Sequence, residues 1–337
     1  MGLDPCDMFI LIDITDVCMP KHHIESVIPE NFAGERLDKV LAVLWGTFSR
    51  AQLTRWIRDG SLLLDGHKVK PNTKVDGSEK IVLQAEVAPD ADWHVPQEVP
   101  FTVLCEDADF LVIDKPAGVV VHPGAGNKDA TLVNGLIKHF PRLLGIPRLG
   151  IVHRLDKDTS GVMVVAASDL GHTRLTSAIG KRLVERVYLG VCEGRVERSH
   201  RIDRPIGRDY RDRTKQRIRE DGRQAITHIS PLNVYRTHTL IKAKLETGRT
   251  HQVRVHLSSL KYPLVGDKRY GANSRLPSLP SNDLVDVVRD FRRQALHARQ
   301  LGFRHPKTDE YVTFESPIPT DISRLIAALT LDAKLAQ

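Results

Sequence analysis

From Ala88 to Pro100 the chain loses every hydrophobic period: Ala88-Pro89-Asp90-Ala91-Asp92 runs on through Pro96 to Pro100 in prolines, alanines and acids. Such a segment has no periodic apolar face to bury, so 88–100 reads as a linker. It splits the 337 residues into a small unit over 24–87 and a large one over 101–325. A flexible tail is expected over 1–23 and another over 326–337, with Met8 and Met19 as alternative starts. The chain is therefore expected to build one small core and one large core.

The two parts differ in pattern. In the small one, Leu37, Val40, Leu41 and Leu44 recur at helical spacing. Ser49-Arg50-Ala51-Gln52 has the form of a capping box that opens a second helix, and Gly60 sits where a glycine would end it. Leu62–Leu64, the Asp65-Gly66 turn and a short run to Val69 predict a hairpin, with a final strand at Ile81–Leu83. Arg50, Arg55 and Arg58 decorate the second helix, and Lys68 follows the turn.

In the large part strands dominate. Thr102–Cys105, Phe110–Ile113, Val119–Val121, Ile151–His153, Val162–Ala166, Val187–Cys192, Ala225–Ile229 and Thr239–Leu245 read as strands. Helices are expected over Leu132–Phe140 after a Thr131 cap, from Ser168 to about Lys181, and over Thr250–Leu260. Strands and helices do not alternate regularly, so the class is α+β, with a mixed, largely antiparallel sheet in the large domain.

Several function classes drop out. Cys6, Cys18, Cys105 and Cys192 are far apart and form no C-x-x-C pair, which argues against a disulfide framework or zinc site and favours a reducing cytoplasm. Met8–Ile14 is apolar but interrupted by Asp13 and lacks a basic flank, so no signal peptide is expected. No run approaches the roughly 18 apolar residues of a membrane span. The 15 histidines match no ligand spacing with a carboxylate, so no metal is expected.

The net charge of +7 is concentrated: Arg198–Arg223 holds ten Arg/Lys against five Asp/Glu. A basic stripe is the footprint of a polyanion partner. A solvated loop laced with ion pairs explains it equally well at this point.

One polar turn stands between two apolar runs: His153-Arg154-Leu155-Asp156-Lys157-Asp158-Thr159-Ser160-Gly161. Burying so many polar groups without partners is costly, so the turn is expected to face a cleft. Asp158, helped by Thr159 and Ser160, reads as a turn cap. The His-Arg-x-Asp order also occurs in kinase catalytic loops, but no glycine-rich loop, Asp-Phe-Gly or Walker A sequence accompanies it, so no nucleotide cofactor is expected. Spacing alone leaves Asp156 either a cleft carboxylate or a second cap.

Gly150-Ile151-Val152-His153-Arg154-Leu155-Asp156-Lys157-Asp158-Thr159-Ser160-Gly161 closely resembles the signature of the RluA-type pseudouridine synthases. Further segments agree in the family's order: Val121–Asn127, Glu185–Leu189, Leu245–His256, Pro263–Asp267 and Gln294–Ala298. The small unit, two helices followed by short strands, resembles the S4 RNA-binding module. Together the resemblance covers about 24–319.

That resemblance implies a cofactor-free isomerase acting on uridine in RNA. Asp156 is implied as nucleophile, Tyr188 as the tyrosine stacked on the uracil, and Arg249 as the cation that keeps a pocket carboxylate ionised. Arg154 is implied to fill the space of an extruded nucleotide, with His153 and Thr159 beside it as substrate-binding residues. Arg50, Arg55, Arg58, Lys68, Arg208, Arg211 and Arg213 are the candidate RNA contacts, which tips the basic stripe toward RNA. The wording of His122–Asn127 and Phe291–Ala298 is most similar to members that modify the helix 69 loop of 23S ribosomal RNA. Ribosomal RNA is thus the expected partner and a monomer the expected state. A synthase for another rRNA or tRNA site and a non-catalytic assembly factor on this scaffold are the alternatives. Keeping Asp156, Tyr188 and Arg249 together argues against the second.

Overall fold

The computed structural model describes residues 21–45, 50–86, 95–124, 127, 129–271 and 275–336, the side chains of 21–23, 50–52, 85 and 86 excepted. The chain divides into two compact units, with the boundary in sequence between residues 92 and 93.

The first unit comprises β1 (Lys21–Val27), α1 (Leu37–Leu44), α2 (Arg50–Asp59), β2 (Leu62–Leu64) and β3 (Lys80–Glu86). The strands form an antiparallel sheet in the order β1-β3-β2. The helical spacing read from the sequence places Leu37, Val40 and Leu41 of α1 against Leu53, Trp56 and Ile57 of α2, over Leu62, Ile81 and Leu83. Gly60, at φ +85°, ends α2 as expected. Ser49 and the side chains of Arg50 and Gln52 lie outside the described residues, and so does most of the tail, with Cys6 and Cys18. The expected tail over 1–23 needs correcting at its end, because β1 starts at Lys21. The expected hairpin reduces to a single bridge, Leu64 to His67, because β2 pairs with β3.

The second unit runs β4 (Thr102–Glu106), β5 (Phe110–Lys115), α3 (Leu132–His139), β6 (Ser160–Ala166), α4 (Asp169–Gly180), β7 (Glu185–Glu193), β8 (His200–Asp203), β9 (Ile206–Arg208), β10 (Gln216–Ile218), β11 (Ile226–Val234), β12 (His238–Leu245), α5 (Gln252–Ser259), α6 (Asn282–Asp290), β13 (Leu296–Arg304), β14 (Tyr311–Glu315) and α7 (Thr320–Leu335). One sheet follows the order β4-β5-β6-β13-β7-β12-β11-β8, with β14 on β13, while β9 and β10 form a separate hairpin.

Among the described pairings only β6 with β13 is parallel, through His297 to Ser160 and Ala298 to Gly161. Gly161 takes φ +119° there, and a Cβ would collide with the Ala298 carbonyl oxygen. Alternation along β7 serves two cores: Tyr188 and Cys192 enter the larger one, with α3, α4 and α5, and Leu189 and Val191 enter a smaller one under α6 and α7.

The C-terminal tail, the linker and two of the expected strands differ from the sequence reading. Of the tail expected over 326–337, residues 326–335 instead continue α7, because Ala328 and Leu329 extend the buried face of Ile322 and Leu325, and residue 337 lies outside the described residues. Of the expected linker, 95–100 packs on the large unit: Val99 is buried, and the Asn134 side chain donates to the Val95 carbonyl at 2.9 Å. Val119–Val121 forms no strand, and Ile151–His153 contributes a single bridge, Ile151 to Val165.

Candidate active site

The polar turn before β6 is tied down from three directions. Its own closure is Thr159 N–H to the Asp156 carbonyl, 3.1 Å. From the segment entering β13, Gln294 donates to the Thr159 hydroxyl at 3.0 Å and Arg293 to the Asp158 carbonyl at 3.1 Å. The Ser160 hydroxyl pairs with His297 Nδ1 at 3.0 Å. Asp158, read as a side-chain cap, is thus held through its main-chain oxygen.

The third anchor was not read from the sequence. Lys115, with no exposed surface, donates to the carbonyls of Pro116, Val119 and Lys157 at 2.8, 2.9 and 3.0 Å. Burial lowers its pKa to about 8 against the opposing pull of Asp158 and Asp156. The ammonium stitches the Pro116–Val119 turn to the residue after Asp156.

His153 and Thr159, expected to bind substrate, are also engaged in this scaffold. His153 Nε2 accepts the Val164 N–H of β6 at 3.0 Å, so the ring must be neutral on that nitrogen. Burial and then Arg186 bring its pKa down to about 3, consistent with that role.

With its neighbours fixed, the Asp156 side chain stands partly open on a cavity of about 560 Å³, lined also by Arg154, Arg186, Tyr188, Arg249 and Arg254. Its Oδ2 accepts from Arg254 Nη1 at 3.0 Å. The same guanidinium grips Asp267 through both oxygens, at 2.7 and 2.8 Å. Burial works against the Arg254 charge, but hydrogen bonds and charge from Asp267, then Asp156, more than offset it and raise its pKa. His251 Nε2 lies 3.9 Å from the same Asp156 oxygen.

The cation beside Asp156 is therefore Arg254, and the expectation of Arg249 is corrected. The reason is that α5 is buried on all sides from Gln252 to Leu257, so a side chain there needs partners inside the protein. Arg254 lies inside that buried stretch at 7% exposure, while Arg249 lies ahead of the helix and donates its Nε to the Gln224 carbonyl at 2.9 Å. Burial, then Arg223, Arg182 and Arg186, lower the Arg249 pKa, the mark of a cation among cations.

Tyr188 faces the cavity from β7. Burial pushes its hydroxyl up to about 12; Arg186 opposes and Asp156 adds to the shift, so it keeps its proton near neutrality. Arg154 is exposed at the mouth and borders both this cavity and a second of about 770 Å³. The second is walled by Arg208, Arg213, Arg219, Arg223, Arg249 and Arg269. Arg211 is exposed on the same hairpin without reaching that wall. In the first unit Arg55, Arg58 and Lys68 are exposed, and Arg50's side chain is outside the described residues. Among the described residues no three His, Cys, Asp or Glu cluster as metal ligands, and no helix is long and apolar enough to cross a membrane.

A carboxylate held by a buried cation, a protonated phenol and a ring of arginines suit reaction on a polyanion. The RNA pseudouridylate synthase family pattern matches residues 109–259, and the S4 domain pattern matches 35–81. The ribosomal large subunit pseudouridine synthase D of Xanthomonas campestris pv. campestris is 47% identical over 313 residues, covering 93% of this chain and 94% of that protein. Its namesake from Escherichia coli O6:H1 is 40% identical over 310 residues, covering 92% and 95%. The solved human RNA pseudouridylate synthase domain containing 1 is similar with a TM-score of 0.53 and 27% identity, covering 69% of this chain and 89% of that one.

Proposed function

Because the chain belongs to the RNA pseudouridylate synthase family, isomerases that convert uridine to pseudouridine, we propose that its substrate is large-subunit ribosomal RNA and its nucleophile Asp156. The observation that carries this is the Asp156–Arg254–Asp267 chain on a cavity shared with Tyr188. Pseudouridylation breaks N1–C1′, turns the uracil and rejoins it through C5. A carboxylate held by a buried guanidinium is positioned to attack without first finding its geometry. Tyr188 offers a face for the uracil and a proton-bearing hydroxyl.

Extruding the base costs a few kcal/mol, and exposed Arg154 at the mouth is placed to fill the vacated stack. The second cavity, with Arg208 and Arg213, suits the phosphates flanking the target; Arg211 suits a more distant one. Arg249 belongs with that phosphate-binding group. His153 and Thr159 act by holding the turn. The S4 unit, with Arg55, Arg58 and Lys68 exposed, is proposed as a tether for the same RNA. The helix 69 loop of 23S rRNA is the proposed target, in the cytoplasm, by a monomer without cofactor.

Pseudouridine mapping of rRNA from cells with the protein, without it, and with Asp156→Ala tests the proposal. Loss of the same sites in the second and third strains is expected. Full modification of helix 69 in all three would refute the target, and activity retained by Asp156→Ala would refute the nucleophile.

A further inference from the structure

The guanidinium of Arg186 lies in the wall of the catalytic cavity, at 6% exposure, two residues before Tyr188 and on the same face of β7. Among the described residues it makes one long hydrogen bond, Nη2 to the Glu246 carbonyl at 3.3 Å, and no ion pair. Nε is buried without a partner. A Cβ at Gly248 would stand 2.5 Å from Nη1, so that glycine leaves room for the head group. The contrast with Arg254, saturated by two carboxylates, is plain. An uncompensated buried cation is costly to a fold, and unmet donors add to the cost. A ligand that brings negative charge to the wall beside Tyr188 would complete it.

We propose that Arg186 is a catalytic residue that binds the uracil carbonyl oxygens and stabilises the negative charge on the base while it is detached. This rests on the pseudouridylation reading above. When N1–C1′ breaks under attack by Asp156 at C1′, the bonding pair leaves with N1 and spreads over O2 and O4. C5 then supplies a pair to C1′, Asp156 departs as carboxylate, C5 loses its proton and N1 gains one. The sum is an isomerisation that needs no oxidant or reductant. If Asp156 adds at C6 instead, the C5=C6 pair moves onto C5 and O4, so a carbonyl oxygen again carries the charge. A fixed cation in a secluded wall acts on that charge as an oxyanion hole does. A backbone phosphate fits less well, since the exposed arginines of the mouth already present charge to phosphates.

The test is single-turnover isomerisation of an rRNA fragment carrying helix 69 by the full-length wild type, Arg186→Met and Arg186→Lys, with thermal unfolding in parallel. Arg186→Met should slow the reaction roughly 10²–10³-fold. Its RNA affinity should be little changed and its Tm equal or higher, because an uncompensated buried charge has gone. Arg186→Lys should recover part of the rate. With 5-fluorouridine at the target, whose base leaves more easily as an anion, the deficit of Arg186→Met in glycosidic cleavage should shrink. An unchanged rate in Arg186→Met would overturn the proposal, as would a loss matched by a fall in Tm or a deficit equal on both bases. A wild-type protein inert on every RNA would instead overturn the pseudouridylation reading.

Discussion

Replacing Arg254 by methionine should damage the protein in two separable ways. Its guanidinium joins Asp156 to Asp267, and the Asp267 side chain is fully buried. Removing one partner of a buried pair typically costs about 3–5 kcal/mol, against a total stability of about 5–15 kcal/mol. Arg254→Met should therefore unfold at distinctly lower urea. Adding Asp267→Asn removes the stranded charge while keeping an oxygen for the Arg269 and Tyr270 N–H groups, now bound at 3.0 and 3.1 Å. Most of the stability should return. Activity should not, because Asp156 still lacks the donor that aims it. A hydrogen bond to a charged group is worth about 1.5–3 kcal/mol, or roughly a 10- to 150-fold slower step. Urea unfolding and single-turnover isomerisation read the two effects independently. A double variant as unstable as the single would refute the stranded-carboxylate argument. Wild-type rates in the double variant would refute the positioning of Asp156 by Arg254.

Lys115→Met should lower stability by about 1–3 kcal/mol, since three carbonyls lose their donor, and a denaturant midpoint equal to wild type would contradict that. Arg249→Ala should raise KM, leave kcat near wild type and reduce the salt slope of RNA affinity by about one; a kcat collapse would restore a role at Asp156. Stability should also depend on pH on the acid side. His153 and His238 titrate near 3 and 4 when folded but near 6.5 when unfolded, so the unfolded chain binds more protons between those values. Their contribution is full above about 6.5 and is lost as pH falls toward 4, so Tm should decline across that window; a flat Tm from pH 7 to 4 would show that these rings are not held neutral.

Much of this was legible in the chain. Periodicity located α1, Gly60 located the end of α2, and the apolar run Val162–Ala166 located β6, while the run at Ile151–His153 yielded a single bridge. The turn stood out because polar residues interrupted apolar ones. What was missed depends on partners distant in sequence. Nothing in the sequence marks Arg254, between Val253 and Val255, as buried, because its partners Asp156 and Asp267 come from other segments. Lys115 carries a side chain that usually reaches water, and its three acceptors come from two separate turns. The buried face of α7 was readable in Ile322, Leu325 and Leu329, but its partner α6 is separated from it in sequence by β13 and β14.

The parallel seam between β6 and β13 also fixes the order in which the chain becomes competent. Asp156 lies just before one side of the seam, and Gln294 and His297, which hold its turn, belong to the other, with 137 residues separating Ser160 from His297. A contact so distant in sequence forms late, because a long loop must close before anything rewards it. During synthesis, β13 emerges after every other strand of the sheet except β14. A nascent chain thus carries Tyr188 and Arg254 while the Asp156 turn still lacks its anchors from the β13 side. Closure of this seam is in this sense the step that fixes the Asp156 turn in place.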